Sequence, residues 1–191
     1  AVATPAFFLS YKPFLRQDLS LRAFYKRMFR MPTFNDLYYT DMGNAFLKPE
    51  YAEQFNVGLK YARSFMNIPA LRMIDASVDA YHNLITDKII AYPKGQQFRW
   101  TMLNLGEVDI KGVDIALNSA WAFGEVEATA RLQYTYQEAI DVTDPADTYY
   151  RDQIPYIPWH SGSAVLAVSY KGWGLNYSFI YTGERYNQQE N

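Results

Sequence analysis

The sequence predicts an all-β chain: a segment of an antiparallel, up-and-down transmembrane β-barrel with about seven to eight long strands. Three observations lead there. Apolar residues recur with period two, not 3.6, along most of the 191 residues. The longest alternating stretch, Glu125 to Gln137, far exceeds the roughly 5–6 residues of a mean globular strand and reaches the roughly 9–11 that a tilted membrane strand needs. Short and long connections also take turns, so the long ones gather at one end of the strands. Tight turns at one rim and long loops at the other are the habit of outer-membrane barrels, whereas a Greek-key sandwich has no reason to sort its loops.

Composition agrees with this and removes other classes. The chain has 17 Tyr, 12 Phe and 4 Trp. Such residues fit pleated surfaces, and Tyr and Trp favour places with one apolar and one wet side. A net charge of −2 speaks against a general nucleic-acid binder, which needs a basic excess. With no Cys, disulfides, thiolate nucleophiles and Cys-based zinc sites drop out. No stretch approaches the length of an apolar transmembrane helix. Ala1 to Ser10 lack a basic start followed by an apolar run, so no signal peptide is expected in them.

Taken in order, a short strand is expected over Ala6 to Tyr11, then a break at Lys12-Pro13-Phe14. Leu19, Leu21, Ala23 and Tyr25 next alternate with Ser20, Arg22, Phe24 and Lys26. Met31 to Glu50, rich in Pro, Asn, Asp and Gly, reads as a long connection. Phe55, Val57, Leu59 and Tyr61 open the following strand, with a short turn over Ser64 to Ala70. Ile74, Ala76, Val78 and Ala80 alternate with Asp75, Ser77, Asp79 and Tyr81, and Tyr92 to Arg99 reads as a longer loop. From Val108 to Leu117 the apolar phase slips, from Val108 and Ile110 to Val113, Ile115 and Leu117. One extra residue near Lys111-Gly112 would produce that slip, so a β-bulge is expected there. After a short turn at Ala122 to Gly124 comes the strand Glu125 to Gln137, then a long loop from Asp141 to Tyr156. Ala164 to Tyr170 and Trp173 to Tyr181 form a last hairpin about Lys171-Gly172.

The polar phase carries full charges: Arg22, Lys26, Lys60, Asp75, Asp79, Glu125, Glu127 and Arg131. In a barrel this face lines the lumen, where Asp75, Asp79, Glu125 and Glu127 are expected to pair with Arg22, Lys60 and Arg131 across strands rather than to act as acid and base. His82 and His160 stand far apart and do not read as metal ligands. Asp141, Asp144 and Asp147 read as a solvated acidic loop, without the spacing of a calcium loop. No nucleophile elbow, zinc-protease helix or phosphate-binding glycine loop is present, so no catalytic residue, metal or cofactor is expected and the chain is not read as an enzyme. Tyr61, Tyr170 and Trp173, beside the short turns, should form an aromatic girdle at that rim.

Residues 27–58 read RMFRMPTFNDLYYTDMGNAFLKPEYAEQFNVG. The stretch resembles a signature of TonB-dependent outer-membrane receptors. Arg30, Pro32, Thr33, Leu37, Tyr38, Gly43, Asn44, Leu47, Pro49 and Glu50 carry the match. NLGEVDIKGVDIAL, with Asn104, Gly106, Gly112 and Asp114, resembles a later strand of that family, and QIPYIPWH, with Ile154, Pro155, Pro158 and His160, resembles its return from loop to strand. The resemblance implies a barrel of about 22 strands filled by a plug domain. Scarce large ligands such as siderophores, cobalamin or glycans bind the outer loops, and the TonB complex drives uptake by pulling on the plug.

Residues 1–191 are then expected to be a piece from the later part of such a barrel, without plug or TonB box. Its partners would be outer-membrane lipid, the plug and remaining strands of the parent chain, and the TonB complex through that plug. Ligand contacts are expected from Tyr38, Tyr39, Trp100, Tyr149, Tyr150 and Arg151 in or beside the long loops, with Trp159 nearby. Arg30, Pro32, Leu37, Gly43, Asn44, Leu47, Pro49, Glu50 and Gly112 are expected to be architectural. Pro32 and Pro49 end ladder pairing, Gly43-Asn44 suits a turn with positive φ, and Glu50 is expected to cap backbone amides or pair with Arg30. Two other readings stay open: a small complete outer-membrane barrel of eight strands, structural or adhesive, and a soluble carbohydrate-binding β-sandwich.

Overall fold

A computed structural model describes residues 3–14, 18–94 and 99–186, with backbone alone at 92–94 and 99. Eight strands form one sheet in chain order, each antiparallel to the next. They are β1 (Ala6–Tyr11), β2 (Leu19–Arg30), β3 (Glu50–Ser64), β4 (Leu71–Lys94), β5 (Arg99–Phe123), β6 (Val126–Asp141), β7 (His160–Tyr170) and β8 (Trp173–Thr182). The single described helix is α1 (Phe34–Tyr38), and no described helix is long and apolar enough to cross a membrane. One continuous sheet is not a sandwich. Nor do the described strands close into an eight-stranded barrel, because β1 and β8 remain its two edges.

Register converts the alternation into two faces. The row Ser10, Arg22, Gly58, Asp79, Asp114, Thr135, Ser161 and Thr182 runs across all eight strands and is polar at every position but Gly58. One residue along, Leu9, Ala23, Val57, Ala80, Val113, Tyr136 and His160 lie in register on the opposite, mainly apolar face. Much of that face lies open among the described residues: Val57 is 62% exposed, Leu175 70% and Trp173 81%. A soluble domain would cover such an expanse.

The polar face is laced with ion pairs, as expected for part of its charge. Arg22 meets Asp79 at 2.6 Å, and Lys60 meets Asp75 at 3.0 Å. The first bridge spans a whole strand, from β2 over β3 to β4. It can do so because Gly58 lies beneath it, where an added Cβ would run into the Asp79 carboxylate. Two of the other three expected partners pair elsewhere. Arg131 Nε donates to Asn118 Oδ1 at 3.2 Å, and Glu125 sits in a turn, 2.8 Å from Lys171.

Two hairpins close tightly at one end of the sheet. Gly124 has φ 63°, and Lys171-Gly172 has φ 43° and 84°. Two consecutive positive values make the latter a turn whose twist matches the strands it joins. Tyr170 and Trp173 face each other across it.

Three further expectations fail in these strands and connections. There is no bulge at Lys111-Gly112: register runs unbroken from Val108↔Asp141 to Phe123↔Val126, and an irregularity lies instead between Leu71 and Met73. The phase slips because the apolar face changes sides. Val113, Ile115 and Leu117 belong to the bare face, whereas Val108 and Ile110 share the polar-phase side, where a small core forms. Val108 and Ala139 are fully buried there, with Ala52, Ile85, Ile110 and Ile154, and Met28, Tyr81, Leu105 and Ile157 pack around them. Second, Tyr92 to Arg99 is not all loop. β4 and β5 continue to pair through Pro93↔Trp100 and Lys94↔Arg99, and residues 95–98 lie outside the described residues. Third, the long connection 31–49 contains α1, which the sequence reading did not separate from the loop.

Candidate functional site

The long connections meet at the end of the sheet away from the tight turns. The first, 31–49, starts where Arg30 ends β2. Pro32 has no amide to offer a ladder, and Thr33 then caps α1. Its hydroxyl accepts from Asp36 N at 3.2 Å while Asp36 Oδ2 accepts from Thr33 N at 2.9 Å, a reciprocal capping box. Asp36 is buried, and burial alone would raise its pKa. The backbone amide and hydroxyl of Thr33 and the Arg30 guanidinium together outweigh that and hold the carboxyl below the usual carboxylate range.

Arg30 joins three elements. Its guanidinium is 2.8 Å from Asp36 on α1 and 3.6 Å from Glu50 at the start of β3. Glu50 Oε2 also accepts from the backbone N–H of Ile89 on β4 at 3.0 Å. Glu50 therefore does both things expected of it, capping an amide and pairing with Arg30. Gly43 needs correction. Its φ is not positive; Asp41, at φ 68°, makes the turn. Gly43 is small because a Cβ would lie 2.7 Å from Leu37 O and from the amides of Tyr38 and Tyr39 at the end of α1. Its own N–H donates to Tyr39 O at 2.7 Å.

This connection is then fastened to β5. Asn44 Nδ2 donates to Met102 O at 3.1 Å, and Met102 N donates to Met42 O at 2.9 Å. Asn104 does more: Oδ1 accepts from Lys48 N at 2.8 Å, and Nδ2 donates to Lys48 O at 3.1 Å and Asp87 O at 2.7 Å. One amide side chain thus ties 31–49 to both strands of the long β4–β5 hairpin. Leu47 and Pro49 flank the tied residue Lys48, and Leu47 N donates to Asn44 O at 3.3 Å.

The second long connection, 142–159, docks on the same hairpin. Val142 N donates to Glu107 O at 2.9 Å, and Glu107 N to Thr143 Oγ1 at 2.9 Å. Gly106 leaves the space for Thr143, whose methyl group an added Cβ would strike. The loop then turns back beside β6, where Ile154 N donates to Ala139 O at 2.8 Å and fully buried Gln153 accepts from Ala139 N at 2.8 Å. This seats Ile154 in the apolar core. Asp141, Asp144 and Asp147 each accept from an amide two residues on: Asp141 from Thr143, Asp144 from Ala146 and Asp147 from Tyr149. They are turn-builders.

The expected ligand-contact residues stand on this framework. Trp100, on the hairpin tip, meets Tyr156 of loop 142–159 with ring centroids 5.8 Å apart. Tyr156 in turn has its amide on Tyr186 O at 2.8 Å. Tyr38 packs on Phe34 within α1 at 5.1 Å, and Tyr39 beside it is 59% exposed. Tyr149 and Tyr150 are half-buried. Arg151 is exposed, has φ 71° and donates its amide to Asp141 O at 2.7 Å. Tyr156 and Asn104 are the residues the sequence reading did not place here. Asn104 stood in a quoted motif, but its cross-loop role depends on a separation of 56 residues in the chain that no local pattern records. Gly112, further down β5, is covered by Tyr81: a Cβ would strike that ring and come within 2.6 Å of Tyr136 O.

The arrangement is a rim with aromatic side chains held by backbone and amide hydrogen bonds. A vitamin B12 transporter, BtuB, of Photobacterium profundum is 30% identical over 172 residues, which is 85% of this chain and 24% of that protein. The BtuB of Vibrio vulnificus is 37% identical over 87 residues, covering 46% and 13%. Among solved structures, the copper transporter OprC overlays with a TM-score of 0.66 at 18% identity, over 97% of this chain and 28% of that one. The FrpB iron transporter of Neisseria meningitidis gives 0.51 at 16%, over 93% and 26%. These two share the fold. The chain spans about a quarter or less of the length of the two BtuB relatives. The family model described as TonB dependent receptor-like, beta-barrel matches residues 1–191, and the chain belongs to that family.

Proposed function

We propose that this chain forms part of the wall and outer gate of an outer-membrane receptor that takes up a scarce, large ligand by TonB-dependent active transport. One observation carries the reading. The sheet bares an apolar face on one side, and at one end its long connections are bolted into a single aromatic rim. Lipid would cover the apolar face, and the polar face would look into a lumen filled by the plug and closed by the remaining strands of the parent chain. TonB would act through that plug. Tyr38, Tyr39, Trp100, Tyr149, Tyr150 and Arg151 are the proposed contacts to ligand, joined by Tyr156.

Two relatives named as vitamin B12 transporters make a corrinoid the first ligand to test. The experiment is uptake of labelled cyanocobalamin by cells carrying the full-length receptor, with and without a protonophore. Saturable uptake that the protonophore abolishes is expected, with at least tenfold weaker binding in Trp100→Ala at unchanged amounts in the outer membrane. Lack of uptake of corrinoid, iron chelate and oligosaccharide alike, or uptake indifferent to the protonophore, would overturn the reading. A mass near 22.2 kDa for the native protein would instead favour a small self-contained barrel.

A further inference from the structure

We propose that the polar face carries a subsite for a neutral pyranose ring of the imported ligand, in a pocket across β1 to β5 with Phe8 and Phe24 as one wall. The proposal rests on the reading of this face as the lumen wall and deepens it. The pocket measures about 590 Å³. Two adjacent rows of the polar face build it. Phe8, Phe24 and Asn56 lie in register, and two residues along each strand come Arg22, Gly58, Asp79 and Asp114. Phe24 is six residues from Arg30, so the pocket lies roughly 20 Å down the wall from the rim. It is a separate place from the rim contacts.

The two walls differ in chemistry. Phe8 and Phe24 stand with ring centroids 5.7 Å apart, and Phe8 is 73% exposed. They make an apolar platform on a polar face, with Arg22 in the row on one side and Lys26 in the row on the other. Opposite them stand planar polar groups. Arg22 Nη2 donates to Asp79 Oδ2 at 2.6 Å, which leaves the guanidinium further donors and the carboxylate a second oxygen. Asp114 Oδ1 accepts from Thr135 at 2.7 Å and keeps Oδ2. The Asn56 side chain has no hydrogen-bond partner among the described residues, so its carbonyl and both N–H donors are available. Gly58, between Arg22 and Asp79, adds no side chain and keeps the floor low.

These groups fit one class of occupant better than the others. Arg22 and Asp79 neutralise each other, and the charge left over, on Asp114, is negative, so an anion is repelled. An alkyl chain would use the phenyl rings and leave guanidinium, amide and carboxylates unused. A small polar solute would use those groups and leave the rings bare. A pyranose uses both. Its C–H face packs on an aromatic ring, and its neighbouring hydroxyls, each donor and acceptor, match planar groups that present N and O atoms side by side. A lysine or arginine of the plug could instead pair with Asp114 and lie over Phe24, and the test separates that case.

Saturation-transfer NMR of maltose with the full-length receptor, in an amine-oxide detergent that carries no sugar head, tests this. Saturation should reach the ring C–H protons of maltose. Phe24→Ala, which removes the platform, and Asn56→Ala, which removes the free amide, should each weaken maltose binding at least fivefold. Thr129→Ala, on the same face but outside the pocket, should leave it unchanged. Because Asn56→Ala deletes a side chain that holds nothing else, it keeps the test valid if Phe24→Ala misfolds. Equal binding in Asn56→Ala and the unmodified receptor would overturn the site. So would loss of binding in Trp100→Ala alone, which would put the sugar at the rim. Absence of transfer to maltose would overturn it too, and carbodiimide cross-linking of Asp114 to a plug lysine would then identify the plug as the occupant. Variant-dependent maltose binding in a receptor whose uptake ignores the protonophore overturns the functional reading and keeps the pocket. Protonophore-sensitive uptake without such binding overturns only the pocket.

Discussion

At Gly112 and Asp36 the fold depends on single atoms. Gly112 has no room for a Cβ, since Tyr81 and a carbonyl of β6 already occupy the space. Gly112→Ala should therefore cost about 1–3 kcal/mol through overpacking. Tyr81→Ala should recover part of that cost but not all, because the carbonyl of Tyr136 cannot rotate away. A double-mutant cycle by urea unfolding of the refolded receptor measures both terms, and full additivity would contradict the contact. Asp36 makes the second case. Its pKa is lowered in the fold, so the unfolded chain binds its proton more readily. The stability it contributes is present above the unfolded value of about 3.9 and is lost as pH falls through the still lower folded value. Thermal melts of the unmodified protein should therefore fall more steeply below about pH 4 than those of Asp36→Asn, which has nothing to protonate. Parallel acid limbs would show that the capping carboxylate contributes nothing.

The elements were legible where one face is wet and the other apolar. From Glu125 to Gln137 the alternation keeps one phase, and from Val126 onward register confirms it residue by residue. It fails where a strand passes from a bare apolar face to the covered core. Val108 and Ile110 are apolar because Ile154 packs on their side, so a change of environment looks like a change of phase. β4 and β5 outrun their alternation for the same reason: above Tyr81 their surroundings are loops of this chain. α1 had a readable start in Pro32-Thr33 followed by Asp36, yet five residues are too few for helical periodicity to show. The tie between 31–49 and the hairpin is the element most open to test. Asn104→Ala removes three hydrogen bonds, worth roughly 1 kcal/mol each by the usual net value. Amide exchange at Lys48 should accelerate by an order of magnitude or more, while Leu37, bonded within α1 to Thr33 O, should change little. Equal acceleration at both would mean that the whole loop opens as a unit and that Asn104 is no local bolt.

Across the whole molecule, the sheet and its solvent are mismatched. A sheet in water hides its apolar face against a second layer. Here the packed core lies at one end, on the polar-phase side, while the other face keeps Leu21, Phe55, Val57, Leu59, Val78, Ile115, Leu166, Leu175 and Phe179 open along its length. β1 and β8 add unpaired backbone at both edges, which lipid cannot hydrogen-bond. Neither water nor a bilayer alone satisfies this chain; the proposed partners, lipid against the face and neighbouring strands against the edges, would together do so. The 191-residue chain produced by itself should accordingly aggregate in buffer. In detergent it should become dispersed but remain open, with edge-strand amides such as Phe8 and Ser178 exchanging far faster than Leu132 in central β6. The same amides inside the full-length receptor should be protected like those of β6, since further strands pair there. Sedimentation with and without detergent reads the first expectation and hydrogen exchange the second. A monodisperse soluble monomer, or edge amides as slow as the centre in the isolated chain, would mean that the sheet closes or covers itself in a way its register does not show. The lipid-facing assignment of the apolar face would then fall with it.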